Sequence, residues 1–403
     1  MADTPLLSVV DARSKILAAL RTALSETVPL SESLGRVLAE DVIARRTQPP
    51  SDLSAMDGYA VRAADTSDVP ATLKVVGDAP AGGAYDGDLK TGEAVRIFTG
   101  APLPRGADAI VIQEDTVREG KHVVVNEAAK AGDHVRVTGL DFRTGDSRVL
   151  HGTLLTPADI ALAAAMNVSE LKVSRRPVIA FFSTGNELVR PGEELGPNQI
   201  ISANNDGLAA LIRDAGGDPL DLGIARDEEA DIRKTAERAS EADMLVTLGG
   251  ASVGDHDLVQ SALTPDGLDI EFWRIAMRPG KPLMFGTLGE LPMLGLPGNP
   301  VSALVCATLF LKPAILRIQG ANPGPHFAMA RLGRDIPGNG PREDYMRAAL
   351  DHIEGELSVA TPFDKQDSSM LSTLSEAGCL VVRPPFADAA KAGETVKILP
   401  LRA

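Results

Sequence analysis

The chain has 403 residues, 44% of them hydrophobic, and a formal net charge of −15 at pH 7. This length exceeds what one hydrophobic core usually supports, so we expect roughly two to four domains. The negative charge argues against nucleic acid or an anionic membrane surface as the main partner, because both are polyanions. Any anionic substrate must therefore meet a local basic cluster.

Cysteine and histidine usage excludes several kinds of site. Cys306 and Cys379 are the two cysteines, so neither a disulfide framework nor a thiolate metal site is supported. The six histidines show no metal-ligand spacing, which argues against zinc or iron. No run of about eighteen apolar residues is present, and acids stand where a signal peptide would carry basic residues. We therefore expect a cytoplasmic protein without a membrane span.

The first part of the chain is predicted to be mainly β-structure between two helical segments. Residues 11–24 carry apolar side chains at helical spacing up to Leu24, which predicts a helix. From about residue 50 to 148, short apolar runs are separated by Gly, Pro and Asp clusters, the pattern of a small all-β domain. Helical periodicity returns after Thr156, which is placed to cap a helix that begins at Pro157.

From residue 176 to about 320 the pattern changes to alternating strands and helices. Such alternation predicts a mostly parallel sheet with helices on both faces, and these sheets bind ligands beyond the carboxyl ends of their strands. The loops to examine are therefore those that directly follow apolar strands. From Phe327 onward the chain returns to short strands, which predicts a final small β-domain.

One of these loops joins a strand to an apolar helix within residues 293–316. Its turn reads Pro297-Gly298-Asn299-Pro300, with Asn299 or Ser302 available to cap the helix. The free N–H groups at such a helix start suit an anion. An ordinary capped turn explains the same residues, so the turn alone leaves both interpretations open.

A second loop, residues 248–257, combines backbone that is open to an anion with acidic side chains. Gly249, Gly250 and Gly254 allow close approach, whereas Asp255 and Asp257 would repel an anion. A Mg²⁺ ion bridging carboxylate and phosphate resolves the conflict, although the aspartates could equally cap the next helix.

Two further acids follow strands of the same predicted sheet. Glu187 comes after the strand that begins near residue 178, and Asp227 follows the next strand. Each has an ordinary explanation as an exposed loop acid. Three acids after three strands of one sheet, counting Asp257, favour a shared site.

Positive charges are equally localised. Arg278 and Lys281 lie around one turn, and Arg342 and Arg347 flank a short stretch of the last β-domain. Donors of this kind can hold a tetrahedral oxyanion without a nucleophile. The sequence shows no Ser/His/Asp order and no reactive-cysteine signature that would indicate a covalent catalyst.

Six stretches in order along the chain resemble the MoeA/gephyrin family, the molybdopterin molybdenumtransferases. The matching stretches are SAMDGYAV (54–61), RIFTGAPLPRGADAIVIQED (96–115), STGNEL (183–188), LGGASVGDHD (248–257), RPGKPLMFG (278–286) and GLPGNPVSAL (295–304). Each alone is weak, but six in sequence cover essentially the whole chain.

The resemblance implies a multi-domain α/β plus β fold with four domains. A central doubly wound, mostly parallel sheet domain would be joined by a β-rich second domain, a small helical and extended linker domain, and a C-terminal β-barrel-like domain. The expected boundaries are 24–46 with 146–172 for the linker domain, 47–145 for the β-rich domain, 1–23 with 173–326 for the α/β molybdopterin-binding domain, and 327–403 for the C-terminal β domain.

The resemblance also assigns roles to residues that match the family's motifs. Those implied to be catalytic are Asp57, Thr99, Glu187, Asp227 and Asp257, with Asp257 and Glu187 holding Mg²⁺. Those implied to bind substrate are Gly249, Gly250, Ser252, Gly254, Pro297, Gly298, Asn299 and Pro300. Those implied to bind molybdate are Arg278, Lys281, Arg342 and Ser368.

Four of the matches depart from the family pattern or leave a choice. The family commonly carries lysine where this chain has Arg278, and arginine keeps the charge but changes the donor geometry. It also commonly carries valine where this chain has Ala251. The last domain matches most loosely, so Arg347 and Ser369 remain alternatives to Arg342 and Ser368.

The activity implied by the family is insertion of molybdate into adenylylated molybdopterin, with Mg²⁺-dependent cleavage of the adenylate that releases AMP and the finished cofactor. The family implies a homodimer, with a molybdopterin adenylyltransferase and molybdoenzymes as transient partners and no nucleic acid or membrane. A gephyrin-like scaffold is one alternative, but this chain lacks the long linker and extra domain of such a scaffold. An adenylyltransferase is another, but it would not need the flanking β-domains. Molybdate or tungstate preference and the attacking group stay open.

Overall fold

The computed structural model describes residues 6–250 and 258–401, which fold as two compact units. Unit 1 comprises Met1–Glu26, Gly35–Ala39 and Val173–Ala403, and unit 2 comprises Thr27–Leu34 and Glu40–Lys172.

Unit 1 is built on a six-stranded sheet. Its strands are β1 (Val178–Thr184), β2 (Asp218–Ala225), β3 (Met244–Leu248), β4 (Leu268–Trp273), β5 (Met284–Leu288) and β6 (Leu291–Leu296). The spatial order is β2-β1-β3-β6-β5-β4. Strands β2, β1, β3 and β6 are parallel, and β5 and β4 add an antiparallel edge. The predicted mostly parallel sheet is confirmed.

Helices cover both faces of this sheet. Side chains of β1 alternate between two apolar cores, with Phe181 in one and Phe182 in the other. The first core receives the helices Val9–Ala19, Asn204–Asp214 and Pro300–Ile318. The second receives the helices Glu229–Glu237 and Leu258–Leu263. The sheet is therefore doubly wound, as predicted.

The helix Pro300–Ile318 runs through α-helical Pro300–Cys306, a π-helical turn at Ala307–Leu311 and α-helical Lys312–Ile318. It is long and apolar enough to cross a membrane by length and composition, which the sequence reading did not anticipate. However, 72% of its apolar window is buried against the rest of unit 1. A core helix passes the same test, so its apolar character is explained by packing.

The N-terminal helix is shorter than the sequence predicts. It ends at Ala19, and Leu20 caps it in an extended conformation. Leu20 stays buried, but Leu24 is 79% exposed and lies outside the helix. The prediction of a helix over 11–24 is therefore wrong at its C-terminal end, because the buried face consists of Val9, Ala12 and Ile16.

The C-terminal part of unit 1 is a closed five-stranded barrel. Its strands are β7 (Ala328–Leu332), β8 (Glu343–Asp351), β9 (Val359–Pro362), β10 (Cys379–Arg383) and β11 (Thr395–Pro400). The pairings run β8-β9-β7-β11-β10 and return to β8, which closes the ring. A short strand, Met277–Arg278, pairs with the start of β8, and a helix, Leu371–Glu376, precedes β10. The predicted barrel-like domain is confirmed.

Unit 2 contains a second six-stranded sheet. In spatial order its strands are Ala109–Ile112, Gly58–Val61, Glu93–Ile97, Ala71–Ala79, His122–Val125 and Thr116–Glu119. Neighbouring strands are antiparallel except Ala71–Ala79 with Glu93–Ile97. Apolar cores line this sheet, one around Val61 and one around Ile97.

The rest of unit 2 consists of short pairings and one helix. Val42–Ile43 pairs with Ser147–Val149, and Leu53–Ser54 pairs with Val135–Arg136. The helix Pro157–Ala165 begins with a capping box, in which Thr156 and Asp159 each bond the other's backbone N–H. The predicted Thr156 cap is confirmed. Two further strands, Ser25–Pro29 and Glu170–Ser174, pair with each other and run across the boundary between the units, and Leu188–Val189 pairs with Ile200–Ile201 in unit 1.

Candidate functional site

Three loops of unit 1 meet at the carboxyl ends of the parallel strands. A Cβ added to Gly249, after β3, would lie 3.2 Å from the Thr184 side-chain and carbonyl oxygens, at the end of β1. A Cβ added to Gly298, after β6, would lie 3.4 Å from the Gly249 Cα atom. Gly249 has φ +88° and donates its N–H to Leu296. Glycine at positions 249 and 298 therefore lets three strand ends approach closely at the edge of the sheet where such folds bind ligands.

The predicted acids Glu187 and Asp227 lie on neighbouring loops of this edge. The Asn186 N–H donates to Asp227 Oδ2 at 3.1 Å, and the Asp227 N–H donates to Asn186 Oδ1 at 3.3 Å. This reciprocal pair fixes the loop after β1 against the loop after β2. Glu187 is exposed, and its carboxylate folds over Gly185, where an added Cβ would lie 2.7 Å from Oε2. The structure brings these two acids to one end of the sheet.

The turn Pro297–Pro300 follows β6 and starts the core helix. Asn299 occupies the N-cap position, but its side chain makes no capping hydrogen bond, contrary to one expectation for this turn. Ser302 is buried. The Asn204 side chain instead donates to the Gly298 carbonyl at 2.7 Å and ties the turn to a neighbouring helix.

The start of the core helix also meets the C-terminal barrel. The Val301 N–H donates to the Ser368 carbonyl at 3.1 Å, so one of the N–H groups expected to be free is already bonded. The same contact places Ser368, predicted to bind molybdate, beside the Pro297–Pro300 turn. Ser252, Gly254 and Asp257, predicted to contribute to this site, lie outside the described residues.

The predicted cations lie where unit 1's sheet domain adjoins its barrel. Arg278 Nη1 lies 3.8 Å from Asp344 Oδ2 on β8. Lys281, three residues on, is half-buried and forms no ion pair with any residue in 6–250 or 258–401. Over the same ranges, the Arg342 guanidinium makes no hydrogen bond or ion pair. Uncommitted donors of this kind can bind an oxyanion.

The two alternatives in the barrel are held by other contacts. Arg347 is 2% exposed, and it donates from Nε to Gln366 at 3.2 Å and from Nη1 to the Met370 carbonyl at 3.2 Å. Burial lowers the pKa of its guanidinium. Ser369 donates its hydroxyl to Asp367 at 2.6 Å. These bonds give Arg347 and Ser369 structural roles that the side chains of Arg342 and Ser368 lack among the described residues.

Asp57 and Thr99 lie together in unit 2. Asp57 Oδ1 accepts hydrogen bonds from the Thr99 N–H and the Thr99 hydroxyl, each at 2.8 Å. These two bonds, with the backbone bond the larger and a smaller contribution from Arg96, lower the pKa of Asp57. Arg96 donates to the Gly58 carbonyl and stacks over Tyr59. The carboxylate is thus held ionised, with both bonds on one of its oxygens.

The family resemblance implies Mg²⁺, and the donors present are suited to it. Glu187 and Asp227 offer carboxylate oxygens at one sheet edge, and Mg²⁺ commonly uses one or two carboxylates with phosphate oxygens. No group of three or more His, Cys, Asp or Glu side chains that could hold a metal occurs among residues 6–250 and 258–401. The described carboxylates therefore do not enclose a metal ion by themselves.

Comparison with known proteins relates the whole chain to one family. Sequence profiles match at residues 7–167 (MoeA N-terminal region, domain I and II), 180–317 (Probable molybdopterin binding domain) and 329–401 (MoeA C-terminal region, domain IV). A Haemophilus influenzae protein named molybdopterin molybdenumtransferase is 36% identical over 402 residues, which is 98% of each chain. The chain belongs to the MoeA family.

Further relatives agree with this membership. A Nostoc protein of the same name is 36% identical and covers 94% of this MoeA-family chain and 89% of its own. A crystal structure of a molybdopterin biosynthesis MoeA protein from Pyrococcus horikoshii superposes with a TM-score of 0.81 at 33% identity, covering 99% of this chain and 100% of its own. A second structure from that organism gives a TM-score of 0.86 at 29% identity, covering 98% and 99%.

Several residues of the site were not singled out from the sequence. Thr184 and Asn186 lie inside the STGNEL stretch, so the motif itself was the available signal. Asn204, which holds the Gly298 carbonyl, lies in no motif that the sequence reading used. Asp344 lies in the short stretch between Arg342 and Arg347, and only those two arginines were singled out from the sequence.

Proposed function

We propose that this MoeA-family chain is a molybdopterin molybdenumtransferase. It takes molybdate and adenylylated molybdopterin as substrates and releases AMP and the molybdenum cofactor. The observation that carries the proposal is the close approach of Gly249 to Thr184 and Gly298, because it brings three strand ends together at the edge of the sheet where folds of this kind bind phosphate-containing ligands. The names of full-length relatives support the same activity.

In this reaction two sulfur–molybdenum bonds form as the two thiols of the dithiolene lose their protons, and one oxygen leaves the molybdenum, either as water with those protons or by transfer to phosphorus. The P–O bond between the pterin phosphate and the adenylate breaks, and phosphorus gains an oxygen from water or from molybdate. Mg²⁺ supplies positive charge for the phosphate oxygens when it is bound, and Glu187 and Asp257 would hold it. Arg278, Lys281, Arg342 and Ser368 bind the oxyanion, and Asp227 positions the loop that carries Glu187 through Asn186.

Further features of the proposal follow the family resemblance. The protein acts as a cytoplasmic homodimer of four-domain chains, receives its substrate from a molybdopterin adenylyltransferase and passes the cofactor to molybdoenzymes. In unit 2, Asp57 and Thr99 contribute a charged and a hydroxyl group to the reaction. The net charge of −15 is consistent with the absence of nucleic acid among these partners.

The test is an assay of the purified full chain with adenylylated molybdopterin, molybdate and Mg²⁺. We expect AMP release together with cofactor that activates a molybdoenzyme lacking it. The Asp257→Asn variant should release no AMP, whereas Asp351→Asn, an exposed acid at the far end of β8, should behave as wild type. Adenylate formation from ATP and molybdopterin would indicate an adenylyltransferase instead. Intact substrate after prolonged incubation would refute the proposal, and oxygen-18 water would identify the attacking oxygen.

A further inference from the structure

The end of the C-terminal barrel holds a buried carboxylate between arginines. Asp344 on β8 lies opposite Arg383 on β10 in antiparallel register and opposite Arg278 of the short strand in parallel register. Side chains alternate along a strand, and Ala348 and Val381, at even spacing from Asp344 and Arg383, belong to the barrel core. Asp344 and Arg383 therefore point into the same end of the barrel.

A cavity of about 200 Å³ opens at this end of the barrel. Its wall includes Arg278, Arg383, Asn339, Gln366 and Asp344. Asp344 is the one acid among the wall residues that the structure describes. The cavity is positively charged overall, which suits an anion.

Arg383 gives independent support for a ligand here. The residue is 7% exposed, and its Nη2 donates to the Asp388 carbonyl. Its Nε is buried and has no hydrogen-bond partner within the part of the chain that the structure describes. Its Nη1 also forms no hydrogen bond to a described residue, so a donor of this guanidinium is available on the cavity wall.

Asp344 is poorly stabilised in its charged form. It is 9% exposed, the nearest cationic atom is Arg278 Nη1 at 3.8 Å, and no residue in 6–250 or 258–401 donates a hydrogen bond to its carboxylate. Burial raises the pKa of Asp344 more than Arg278, Arg342 and Arg383 together lower it. An anion beside it would raise that pKa further, because like charges disfavour ionisation.

We propose that Asp344 takes up one proton from solvent when a tetrahedral dianion binds in this cavity, and that its carboxyl O–H then donates a hydrogen bond to the anion. This inference rests on the proposed function, in which the dianion is molybdate. Arg278, one of the residues proposed to bind molybdate, lines this cavity, so Asp344 acts there as a specificity-determining residue for the anion. As a carboxylate, Asp344 would repel the anion. As a protonated carboxyl group, formed when the anion binds, it donates a hydrogen bond to the anion instead.

Among the described side chains that face Asp344, the others are arginines or amides, which do not take up a proton at working pH. The charged groups that face it are Arg278 from the short strand, Arg342 from the loop before β8, and Arg383 from β10. Arginine remains protonated at any working pH. Asn339 and Gln366 do not titrate. The Tyr345 hydroxyl bonds Glu343, and both alternate to the other face of β8.

Calorimetric titration of the full wild-type chain with sodium molybdate tests the inference directly. Runs in two buffers with different ionisation enthalpies count the protons exchanged, and we expect uptake of up to one proton for each molybdate bound. The affinity for molybdate should fall by up to about tenfold per pH unit as pH rises. This fall is expected between the pKa of Asp344 in the empty cavity and its higher pKa in the complex. We expect this slope at pH values above the usual titration range of an aspartate, because burial raises the pKa of Asp344.

The variant Asp344→Asn replaces the carboxyl by an amide that donates without titrating. It should bind molybdate without proton uptake, and its affinity should no longer depend on pH in that window and should exceed the wild-type value at the alkaline end. Asp351→Asn, with the same charge change on the same strand but exposed, should keep the wild-type slope. Thermal unfolding of both variants verifies that they are folded, and the wild-type proton count needs no variant.

The outcomes separate this inference from the proposed function. Molybdate binding by the wild type without proton uptake, or an unchanged pH slope in Asp344→Asn, would overturn the role of Asp344 and leave the oxyanion site standing. A wild-type chain that binds neither molybdate nor tungstate would overturn the oxyanion site itself. Competition by AMP with the same proton count would keep the role of Asp344 and place a substrate phosphate in the cavity.

Discussion

At the scale of single residues, the charge of Asp57 is set by Thr99. The Thr99 N–H and hydroxyl both bond Asp57 Oδ1 and lower the pKa of Asp57, so the carboxylate stays charged to lower pH than usual. Thr99→Val removes the hydroxyl bond and keeps the backbone bond. We expect the acid limb of the pH profile of kcat/KM for AMP release to move to higher pH, because the pKa of Asp57 rises.

The matched control for this prediction is Thr138→Val. Thr138 bonds Asp52 Oδ1 through its N–H at 2.7 Å and its hydroxyl at 2.8 Å, in the same arrangement as Thr99 with Asp57. This variant should leave the acid limb where the wild type has it. An unmoved limb in Thr99→Val would show that ionisation of Asp57 does not limit the reaction at acid pH.

Lys281 is expected to bind molybdate directly. Its ammonium group forms no ion pair with any other described residue, and hydrogen bonds to charged groups are the stronger ones. Lys281→Ala should weaken molybdate binding roughly ten- to hundredfold and change nucleotide affinity much less. Titration calorimetry with molybdate and with AMP measures both.

The control for Lys281 is Lys391→Ala in the barrel. Lys391 is exposed and pairs with Asp335 at 2.8 Å, so removing it should not change either affinity. Equal losses for molybdate and AMP in Lys281→Ala would place Lys281 at the nucleotide instead.

Arg342 and Arg347 could not be distinguished from the sequence alone, because they differ in burial. Arg342 and Arg347 looked equivalent as basic residues around one stretch of strand. The structure separates them, because Arg347 points away from the cavity and is buried against Gln366 and Met370. That difference depends on how the barrel strands pair, and the pairing partners of a strand lie far away in the sequence, so the spacing of residues within one stretch does not reveal them.

At the scale of elements, the strands of the central sheet were predictable because buried parallel strands are continuous apolar runs. The Thr156 cap was predictable because a capping residue and a following proline are local signals. The end of the first helix was not, since Leu20 and Leu24 continue the apolar spacing beyond Ala19. Closure of the barrel from β7 to β11 was also beyond the sequence, because it depends on register.

A substitution in the loop after β3 tests whether the close packing of the three strand ends shapes the site. Gly250 has φ +69°, and a Cβ there would overlap the Val259 side chain and lie 3.2 Å from Thr184 Oγ1. Gly250→Ala should displace this loop and strongly reduce turnover. It should also lower the free energy of unfolding by about 1–2 kcal/mol or more, because alanine is strained at positive φ.

Gly289→Ala is the matched control. Gly289 has φ +61° in the turn between β5 and β6, and no atom lies within 4 Å of an added Cβ. Its substitution introduces the same backbone strain without a clash, so stability should fall while turnover is unchanged. Similar turnover in both variants would show that the backbone at Gly250 does not shape the site.

At the scale of the whole molecule, one cluster of positive side chains contrasts with the negative net charge of the chain. The chain carries 55 acidic and 40 basic residues, yet Arg278, Arg342 and Arg383 surround a single buried acid. A dianion is repelled by the average negative charge of the chain and attracted at this cluster. The composition therefore indicates that an anionic substrate needs a local site, and the fold supplies it by register between strands that are distant in sequence.

The two compact units are expected to unfold separately. Multidomain chains commonly unfold in more than one transition, so calorimetry of the full chain should resolve two. Thr156→Ala removes a helix cap in unit 2, and Ile16→Val removes a buried methylene from unit 1, where Ile16 is fully buried. Each should cost about 1 kcal/mol, and each should lower a different transition.

Molybdate then identifies the unit that binds it. Arg278, Lys281, Arg342 and Ser368 all belong to unit 1, so molybdate at about a hundred times its Kd should stabilise by about 2.7 kcal/mol the transition that Ile16→Val lowers. The transition lowered by Thr156→Ala should stay in place. A single transition that shifts with all three changes would show that the two units unfold together, and stabilisation of the other transition would place the oxyanion site in unit 2.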